Sequence, residues 1–483
     1  MSDEWKVSYR DLRDWLEMVQ EVGELKIVKG ATWQEDIGMA TEMLHQVEGS
    51  PAVLFDEISD YPAGYRVLVN ALRSEKRLGI TAGLPKDLNK LDLSMALSKK
   101  FKKCKPIPPQ YVDNGPILEN VHLDDEINLL EFPSPIWHEH DGGRYIGTGS
   151  YDITRDPDNG WVNLGTYRVM VHDEKHVGFY ISPGKHGRMH RDKYFARKEP
   201  CPLAIVVGGD PLLFWAGCTE LPYELCEYDW AGGVRGEPYK VIKGQITGLP
   251  IPVDAEIVLE GFAYYDDLKT EGPFGEWTGY YGSGFHQEPR VEIKAVYHRN
   301  NPIILACPPN CPPDEQAFFR AIIRSPLLKE QMETAGIPDV KAVWCHEVGG
   351  SRLLTAVAIK QRYPGHAMQA GHVASQCHIG AYCGRYVVVV DDDVDVSNLE
   401  ELMWAMCTRS DPATSIDIIH RAWSTPLDPR ISPEDKDKGR LWNSRAIIDA
   451  TKPYDWKDDF PVVNIPSPER KKKTMEKFGY LLK

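Results

Sequence analysis

The stretch Glu271-Gly-Pro-Phe-Gly-Glu276 follows a run with strand-like alternation, Ile257-Val-Leu-Glu-Gly-Phe262. Proline fixes its own φ, and glycine permits the tight turns that would bring the two carboxylates together. Carboxylates in different surroundings hold different pKa values, so that one can donate a proton while the other stays ionised. The segment predicts either a proton-transfer turn at the end of a strand or a surface turn with two solvated glutamates.

The composition is that of a globular protein with more than one domain. The chain has 483 residues, of which 42% are hydrophobic, and it is too long for one ordinary core. The net charge of −15 opposes binding to nucleic acid or anionic lipid. No apolar run approaches the roughly 18 residues of a membrane span, and the N-terminus has no apolar signal region. Ten irregularly spaced cysteines indicate reduced thiols. We therefore expect a cytoplasmic enzyme without a nucleic-acid or membrane partner.

Periodicity divides the chain into three parts and predicts an α/β (α+β) fold. Helical and strand-like periods alternate up to the basic, proline-rich stretch 99–109, which resembles a linker. Short strand-like runs dominate from about 115 to 305, with helices predicted at 187–198 and 223–233, as in a β-barrel or sandwich. From about 315 the α/β alternation returns.

Two charged runs in the last part of the chain each have a simple interpretation. The β-branched run 386–390 predicts a fully buried parallel strand, which ends in Asp391-Asp-Asp393. These acids predict either a metal site or, more simply, a solvated turn. The run Arg470-Lys-Lys-Lys473 is best explained as the solvated face of a helix.

Three further segments carry side chains suited to chemistry. Asn163-Leu-Gly-Thr-Tyr-Arg168 lies on a predicted strand, where only a bulge or twist would bring both ends into one pocket. Pro183 to Arg191 opens a predicted helix, whose free N–H groups could bind phosphate. Glu227-Tyr-Asp229 opens another. Asn, His and Glu together suit Mn²⁺ or Mg²⁺ shared with a phosphate, although each segment alone could be purely structural.

These segments, in this order, resemble the UbiD-type decarboxylases that use prenylated flavin mononucleotide (prenylated FMN). The resemblance covers most of the chain and is closest to the hydroxybenzoate and phenolic-acid branch. The stretches 291–302 and 387–395 are further matches. Motifs of other enzyme classes do not occur: there is no G-x-G-x-x-G after a strand, no G-x-x-x-x-G-K-[ST] and no G-x-S-x-G.

The resemblance implies a set of site residues. Arg168, Glu271 and Glu276 would form the catalytic network. The implied cofactor-binding residues are Asn163, Thr166, Tyr167, Arg168, Lys185, His186 and Glu227. Of these, Asn163, His186 and Glu227 would hold Mn²⁺ or Mg²⁺ against the cofactor phosphate, with K⁺ or Na⁺ beside it. Thr425 and Leu427 would belong to the substrate pocket.

The resemblance also implies an architecture. It consists of an N-terminal α/β domain at 1–114, a split β-barrel that binds prenylated FMN at 115–312, a C-terminal α/β domain at 313–455 and a tail at 456–483 that contacts a dimer partner. The expected assembly is a homodimer or a trimer of dimers.

The implied activity is the reversible, non-oxidative decarboxylation of an aromatic, heteroaromatic or α,β-unsaturated carboxylic acid. Prenylated FMN would be the electron sink, a flavin prenyltransferase its supplier, and Glu276 the proton donor. Two alternatives stay open. One is a conventional FMN-dependent oxidoreductase, and the other is a cofactor-carrying subunit of a multi-subunit decarboxylase.

Overall fold

The N-terminal part of the computed structural model is a small sheet with flanking helices. The structure describes residues 6–219, 221–282 and 284–482, so the ends of the predicted N-terminal domain and tail, 1–5 and 483, lie outside it. The elements are α1 (Leu12–Glu21), β1 (Leu25–Lys29), α2 (Asp36–His45), β2 (Ala52–Asp56), β3 (Arg66–Val69), α3 (Glu75–Ala82) and α4 (Lys90–Lys103). A distant strand, Ile303–Leu305, pairs in parallel with β3 and completes the four-stranded sheet.

The predicted linker at 99–109 is wrong in its first half, because 99–103 are the last residues of α4. Leu93, Leu97 and Lys100 are buried on one face of this helix at helical spacing. The Lys100 ammonium donates a hydrogen bond to the Ala82 carbonyl oxygen. The lysine-rich composition therefore concealed a packed helical face.

The central part is dominated by one antiparallel seven-stranded sheet. The elements of this part are β4 (Gln110–Tyr111), β5 (Asn120–Leu123), β6 (Tyr145–Gly147), β7 (Tyr151–Arg155), β8 (Val162–Gly165), β9 (Val169–Met170), β10 (His176–Gly178), α5 (His186–Ala196), β11 (Cys201–Val207), α6 (Pro211–Gly217), α7 (Glu227–Arg235), β12 (Lys240–Lys243), β13 (Pro250–Pro252), β14 (Ile257–Glu271), β15 (His286–His298) and β16 (Ile303–Leu305). The strand order in the sheet is β10-β15-β14-β11-β7-β8, with β5 on β15. The longest strands, β14 and β15, form a hairpin around the Glu271–Glu276 segment. The predicted helices at 187–198 and 223–233 correspond to α5 and α7.

The C-terminal part is a five-stranded sheet in the order β17-β18-β19-β21-β20. The predicted strand at 386–390 is confirmed, because β19 is buried after its first residue and pairs in parallel with both neighbours. The elements are α8 (Glu315–Thr334), β17 (Val340–Cys345), β18 (Leu354–Ile359), α9 (His366–Gln376), α10 (His378–Ala381), β19 (Tyr386–Asp391), α11 (Leu399–Arg409), β20 (Ile416–Trp423), α12 (Pro433–Asp437), β21 (Trp442–Asp449) and α13 (Pro468–Phe478).

The acidic turn after β19 is largely solvated, as predicted, since Asp392 and Asp393 are exposed and only Asp391 is buried. Two of its acids also form ion pairs. Asp393 accepts hydrogen bonds from Arg409 Nη1 at 2.8 Å and from Lys452 Nζ at 2.7 Å. Arg409 also lies 3.4 Å from an Asp391 oxygen. The two cations pair with these acids. Both cations lie too far along the chain from the acids for sequence spacing to reveal the contacts.

In α13 the basic run 470–473 is exposed, as predicted.

The described residues include no helix that is both long and apolar enough to cross a membrane. Mixed helices and strands in several sheets confirm the predicted multi-domain α/β class.

A buried ionic network joins the N-terminal part to the central part. Arg235 Nη1 lies 2.8 Å from Asp210 Oδ2, and Arg235 Nη2 donates to the Tyr9 carbonyl oxygen at 2.7 Å. The Tyr9 hydroxyl donates to Asp210 Oδ1 at 3.0 Å. Removing the Asp210 carboxylate would therefore leave the Nη1 side of the buried guanidinium unpaired, with only the exposed Glu237 carboxylate at its Nε.

We expect Asp210→Ala to lower the free energy of unfolding by about 3–5 kcal/mol, because an unpaired buried charge is costly. The matched control is Glu333→Ala, which removes an exposed partner of Lys329 on α8. The midpoint of the first thermal transition, followed by circular dichroism, measures both effects. Equal midpoints for the two variants would contradict this role of Asp210.

Candidate active site

Arg168 is held between two buried glutamates. Its Nε and Nη2 donate to Glu271 Oε1 and Oε2 at 2.8 and 2.6 Å, and its Nη1 contacts Glu276 Oε1. The strand containing Asn163 ends with β8 at Gly165, and β9 begins only at Val169. The predicted departure from regular strand geometry thus occurs at 166–168. Both ends of the segment, Asn163 and Arg168, line the same cavity.

The turn after β14 places both acids on Arg168. Gly272 has φ of +87°, and an added Cβ would meet the Gly284 carbonyl oxygen at 2.5 Å, so this position requires glycine. A neighbouring loop fixes the turn through Gly142 N, which donates to the Pro273 carbonyl oxygen at 2.8 Å. Glu276 N donates to the Tyr280 carbonyl oxygen at 3.1 Å. The alternative of two solvated glutamates is wrong, since both acids are buried.

The two acids have different electrostatic surroundings. Glu271 forms the bidentate pair with Arg168 and also accepts the Tyr145 hydroxyl at 3.0 Å. Burial raises the pKa of Glu276 to about 7, with Arg168 opposing and the Glu271 charge reinforcing the shift. Burial likewise raises the pKa of Tyr145, which keeps it a neutral donor. Near neutral pH, Glu276 can therefore hold or release a proton while Glu271 stays paired.

A second group of predicted residues lines the same cavity. These residues are Asn163, His186 and Glu227. Glu227 is buried, accepts Leu164 N at 2.8 Å, and burial raises its pKa to about 8. Asn163 has a buried Nδ2 without a hydrogen-bond partner among the described residues. His186 opens α5, and burial followed by the charge of Lys185 lowers its pKa, which favours the neutral imidazole that metals bind.

The cavity encloses about 250 Å³ between the central and C-terminal parts. It is lined by all the other predicted cofactor residues, namely Thr166, Tyr167, Arg168 and Lys185. Leu427 also lines it. Thr425 is buried and is not among the lining residues, and its hydroxyl accepts Leu427 N at 3.4 Å. Of the two predicted substrate-pocket residues, the cavity wall therefore includes Leu427 and not Thr425.

Several residues that line the cavity or contact Glu271 carry no signal that sequence reasoning could use. Tyr180 stacks under the Arg168 guanidinium at 4.3 Å from its ring centroid. Tyr145 orients Glu271 from β6. Arg320 and Arg352 enter from the C-terminal part, more than 150 residues along the chain from Arg168. Only their positions in the folded chain identify them as parts of the site, because isolated tyrosines and arginines form no sequence motif.

Comparison with known proteins places this geometry in a family. Residues 110–312 match the 3-octaprenyl-4-hydroxybenzoate carboxy-lyase Rift-related domain, and residues 317–450 match the C-terminal domain of the same enzymes. The chain belongs to the UbiD family. The predicted family is therefore confirmed, and the matched ranges hold every predicted catalytic and cofactor-binding residue.

Relatives match over nearly the whole chain. A pyrrole-2-carboxylic acid decarboxylase of Pseudomonas aeruginosa is 29% identical, with 92% of this chain and 91% of that protein covered. The closed form of the Sedimentibacter hydroxybenzoicus vanillic acid decarboxylase superposes with a TM-score of 0.84 at 31% identity, covering 99% of each chain. An evolved dimeric form of the UbiD-class enzyme HmfF from Pelotomaculum thermopropionicum, in complex with prFMN, gives a TM-score of 0.81 at 25% identity, covering 95% of this chain and 98% of that one.

The electrostatics predict a titration that can be measured on the protein alone. We expect the Glu276 carboxyl to titrate at about 7, and at a lower pH in Glu271→Gln. The pKa of Glu276 should fall in this variant because removing the Glu271 charge removes a repulsion that disfavours ionised Glu276. Difference infrared spectroscopy of the carboxyl stretch against pH measures it, with Glu276→Gln as the control that lacks the signal. A Glu276 titration near 4.5, the value of an unperturbed glutamate, would contradict the site electrostatics.

Proposed function

We propose that this protein is a prenylated-FMN-dependent carboxy-lyase that reversibly decarboxylates an aromatic, heteroaromatic or α,β-unsaturated carboxylic acid. The observation that carries the proposal is the buried Arg168–Glu271–Glu276 network, in which burial raises the pKa of one acid to about 7 beside a cavity. Decarboxylase relatives over nearly the full length support the carboxy-lyase class. The structure of a UbiD-class relative in complex with prFMN supports the cofactor.

The residues around the cavity fit a flavin phosphate held by a divalent cation. The residue before α5 provides no side-chain cap, so the first N–H groups of the helix, apart from Gly187 N, could bind phosphate oxygens. Buried Glu227 accepts a backbone N–H, and the Asn163 amide has unused hydrogen-bonding capacity. With His186 they form a hard N/O ligand set that suits Mn²⁺ or Mg²⁺. We also propose that a monovalent ion, K⁺ or Na⁺, binds beside the divalent ion.

The roles of the remaining cofactor residues follow from their positions. Tyr167 lies against α5, where its hydroxyl accepts Gly187 N at 3.1 Å. Thr166 and Lys185 line the cavity on the same side. They would bind the phosphate and the adjoining part of the cofactor, and Lys185 would add a positive charge near the phosphate.

Decarboxylation at an sp² carbon needs an electron acceptor that no side chain provides, and prenylated FMN would supply it when bound. The chain then has to bind the substrate carboxylate, exclude water and deliver a proton. Arg168 is the cation placed to bind a carboxylate, and its pairing with Glu271 fixes the guanidinium. Glu276 in its neutral form would protonate the carbon from which carbon dioxide leaves.

The residues around the cavity support these roles of Arg168 and Glu276. Phe274 and Trp277 flank Glu276 in sequence and are both buried. Tyr180 covers the guanidinium. A water-poor site strengthens the attraction between Arg168 and a carboxylate, and it also keeps the pKa of Glu276 high. Leu427 supplies an apolar surface for an aromatic ring.

Substrate class and assembly are proposed from the same relatives. The names of the relatives cover a phenolic and a heteroaromatic acid, which favours a substrate of similar size. A flavin prenyltransferase would supply the cofactor, and a homodimer or trimer of dimers is the proposed assembly. The arginine held between two buried acids favours a carboxy-lyase over a conventional FMN oxidoreductase. The acid that titrates near pH 7 favours a catalytic subunit over one that only carries the cofactor.

We expect Glu276→Gln to retain flavin and to lower the rate of carbon dioxide release by about 100-fold to 10,000-fold, the usual contribution of a positioned acid. The amide preserves shape and removes the transferable proton. Glu292→Gln on β15 is the matched control, since Glu292 pairs with Lys294 at 2.6 Å outside the cavity. Undiminished turnover in Glu276→Gln would exclude Glu276 from the chemistry.

We expect His186→Ala and Glu227→Gln each to purify with less metal and less flavin together, because one cation would hold the cofactor phosphate. Metal analysis and flavin absorbance of the same preparations measure both losses. His176→Ala, which removes a partner of Asp173 at a distance from the cavity, is the control. Full flavin in both site variants would show that the metal assignment is wrong.

A further inference from the structure

Two histidines and a glutamate meet on the central sheet, and none of them lines the cavity described above. His122 on β5 and His298 on β15 belong to paired antiparallel strands, where His298 faces Asn120 and His122 faces Val296. They are diagonal neighbours on one face of the sheet. Glu131 comes from the end of a short 3₁₀ helix, Leu129–Glu131. One ligand atom of each of the three residues lies within 4.8 Å of the other two.

The hydrogen bonds of the two imidazoles determine which nitrogens carry protons. His122 Nδ1 lies 3.2 Å from the Glu126 carbonyl oxygen, and His298 Nδ1 lies 2.9 Å from the Arg299 carbonyl oxygen. A carbonyl oxygen only accepts, so each Nδ1 carries the hydrogen and each neutral ring leaves a lone pair on Nε2. The two Nε2 atoms are 3.3 Å apart. Two lone pairs at this distance require a cation or a proton between them.

The surroundings favour a metal ion over a proton shared by the two rings. Glu131 Oε1 is buried without a hydrogen-bond partner among the described residues. A proton held between the two Nε2 atoms would not satisfy that oxygen, whereas a metal ion would bind both nitrogens and the carboxylate.

The distance between the two Nε2 atoms is that expected for two ligands of a tetrahedral ion. With Zn–N bonds of about 2.0–2.1 Å, tetrahedral angles separate two ligand nitrogens by about 3.3–3.4 Å. Backbone carbonyls on the distal Nδ1 atoms are the usual arrangement that orients metal-bound histidines. Phe132 meets the His298 ring edge-on at 5.5 Å between centroids and restricts its rotation. His122 is only half-buried, which leaves a path for the ion and a position for a water ligand.

We propose that His122, Glu131 and His298 form a structural site for a divalent transition-metal ion of the zinc type, separate from the cofactor. The ion would fasten the segment after the 3₁₀ helix to the sheet. That segment is further held by Arg144, which donates to the Phe132 and Ser134 carbonyl oxygens at 3.0 Å. It continues to Gly142, which fixes the catalytic turn. The expected consequence is a higher thermal midpoint with Zn²⁺ bound.

The test titrates Co²⁺ into full-length protein that has been freed of metal and flavin. Tetrahedral Co²⁺ gives intense visible d–d absorption, which an octahedral site on the phosphate side would not give. We expect one equivalent in the wild type, displaced by Zn²⁺. His122→Ala removes a half-buried ligand, and we expect it to weaken Co²⁺ binding by at least about 100-fold, more than the loss of an outer-shell partner. Glu131→Gln should also weaken it.

Two further variants separate the outcomes. His420→Ala removes an exposed histidine on β20 and should bind Co²⁺ as the wild type does. His186→Ala should retain the tetrahedral signal, because it belongs to the proposed cofactor site. Loss of the signal in His186→Ala with retention in His122→Ala would overturn the assignment. Absence of tetrahedral absorption in the wild type would overturn it as well, and so would a His122→Ala variant that binds like the wild type.

Discussion

The site depends on one arginine held between two buried carboxylates. Arg168 binds Glu271 in a bidentate pair and contacts Glu276 through its remaining nitrogen. A buried cation of this kind needs compensation, and removing one partner of such a group typically costs about 3–5 kcal/mol. Two acids provide it, and Tyr145 gives Glu271 a further donor. Burial raises the pKa of Glu276 to about 7, so its proton can move near neutral pH.

The rest of the architecture can be understood as support for this arrangement. The hairpin of β14 and β15 places the turn, and Gly142 from a separate loop keeps it in position. The interruption between β8 and β9 turns Arg168 toward the acids, while Asn163 on the same segment lines the same cavity. One cavity of about 250 Å³ therefore contains both the proposed cation ligands and the buried acid Glu276.

Much of this site could be predicted from sequence, because its motifs are local. Glu271 and Glu276 are separated by one turn, and Asn163 and Arg168 by one interrupted strand. Spacing alone suggests that each pair can meet, and the family resemblance implies their roles. The catalytic and cofactor positions implied by family resemblance stay predictions, although the structure brings all of them except Glu271 to the wall of one cavity. Glu271 contacts Arg168, which lines that cavity. Thr425 shows the limit of the approach, since whether a side chain lines a cavity wall depends on packing.

What escaped prediction depends on contacts between distant parts of the chain. The cations that neutralise the turn after β19 come from Arg409 and Lys452. The lysine-rich end of α4 looks like a linker until the Ala82 carbonyl oxygen is seen to accept from Lys100. His122 and His298 are 176 residues apart and have no motif, so only the pairing of β5 with β15 brings them together. Strand-to-strand register of this kind is not local information.

The most direct measurement is the reaction itself, run in D₂O with protein coexpressed with a flavin prenyltransferase and offered a panel of aromatic and heteroaromatic acids. The account predicts release of carbon dioxide from at least one acid, with a single deuterium at the carbon that carried the carboxylate. Nicotinamide-dependent redox turnover without release of carbon dioxide from any acid would contradict it.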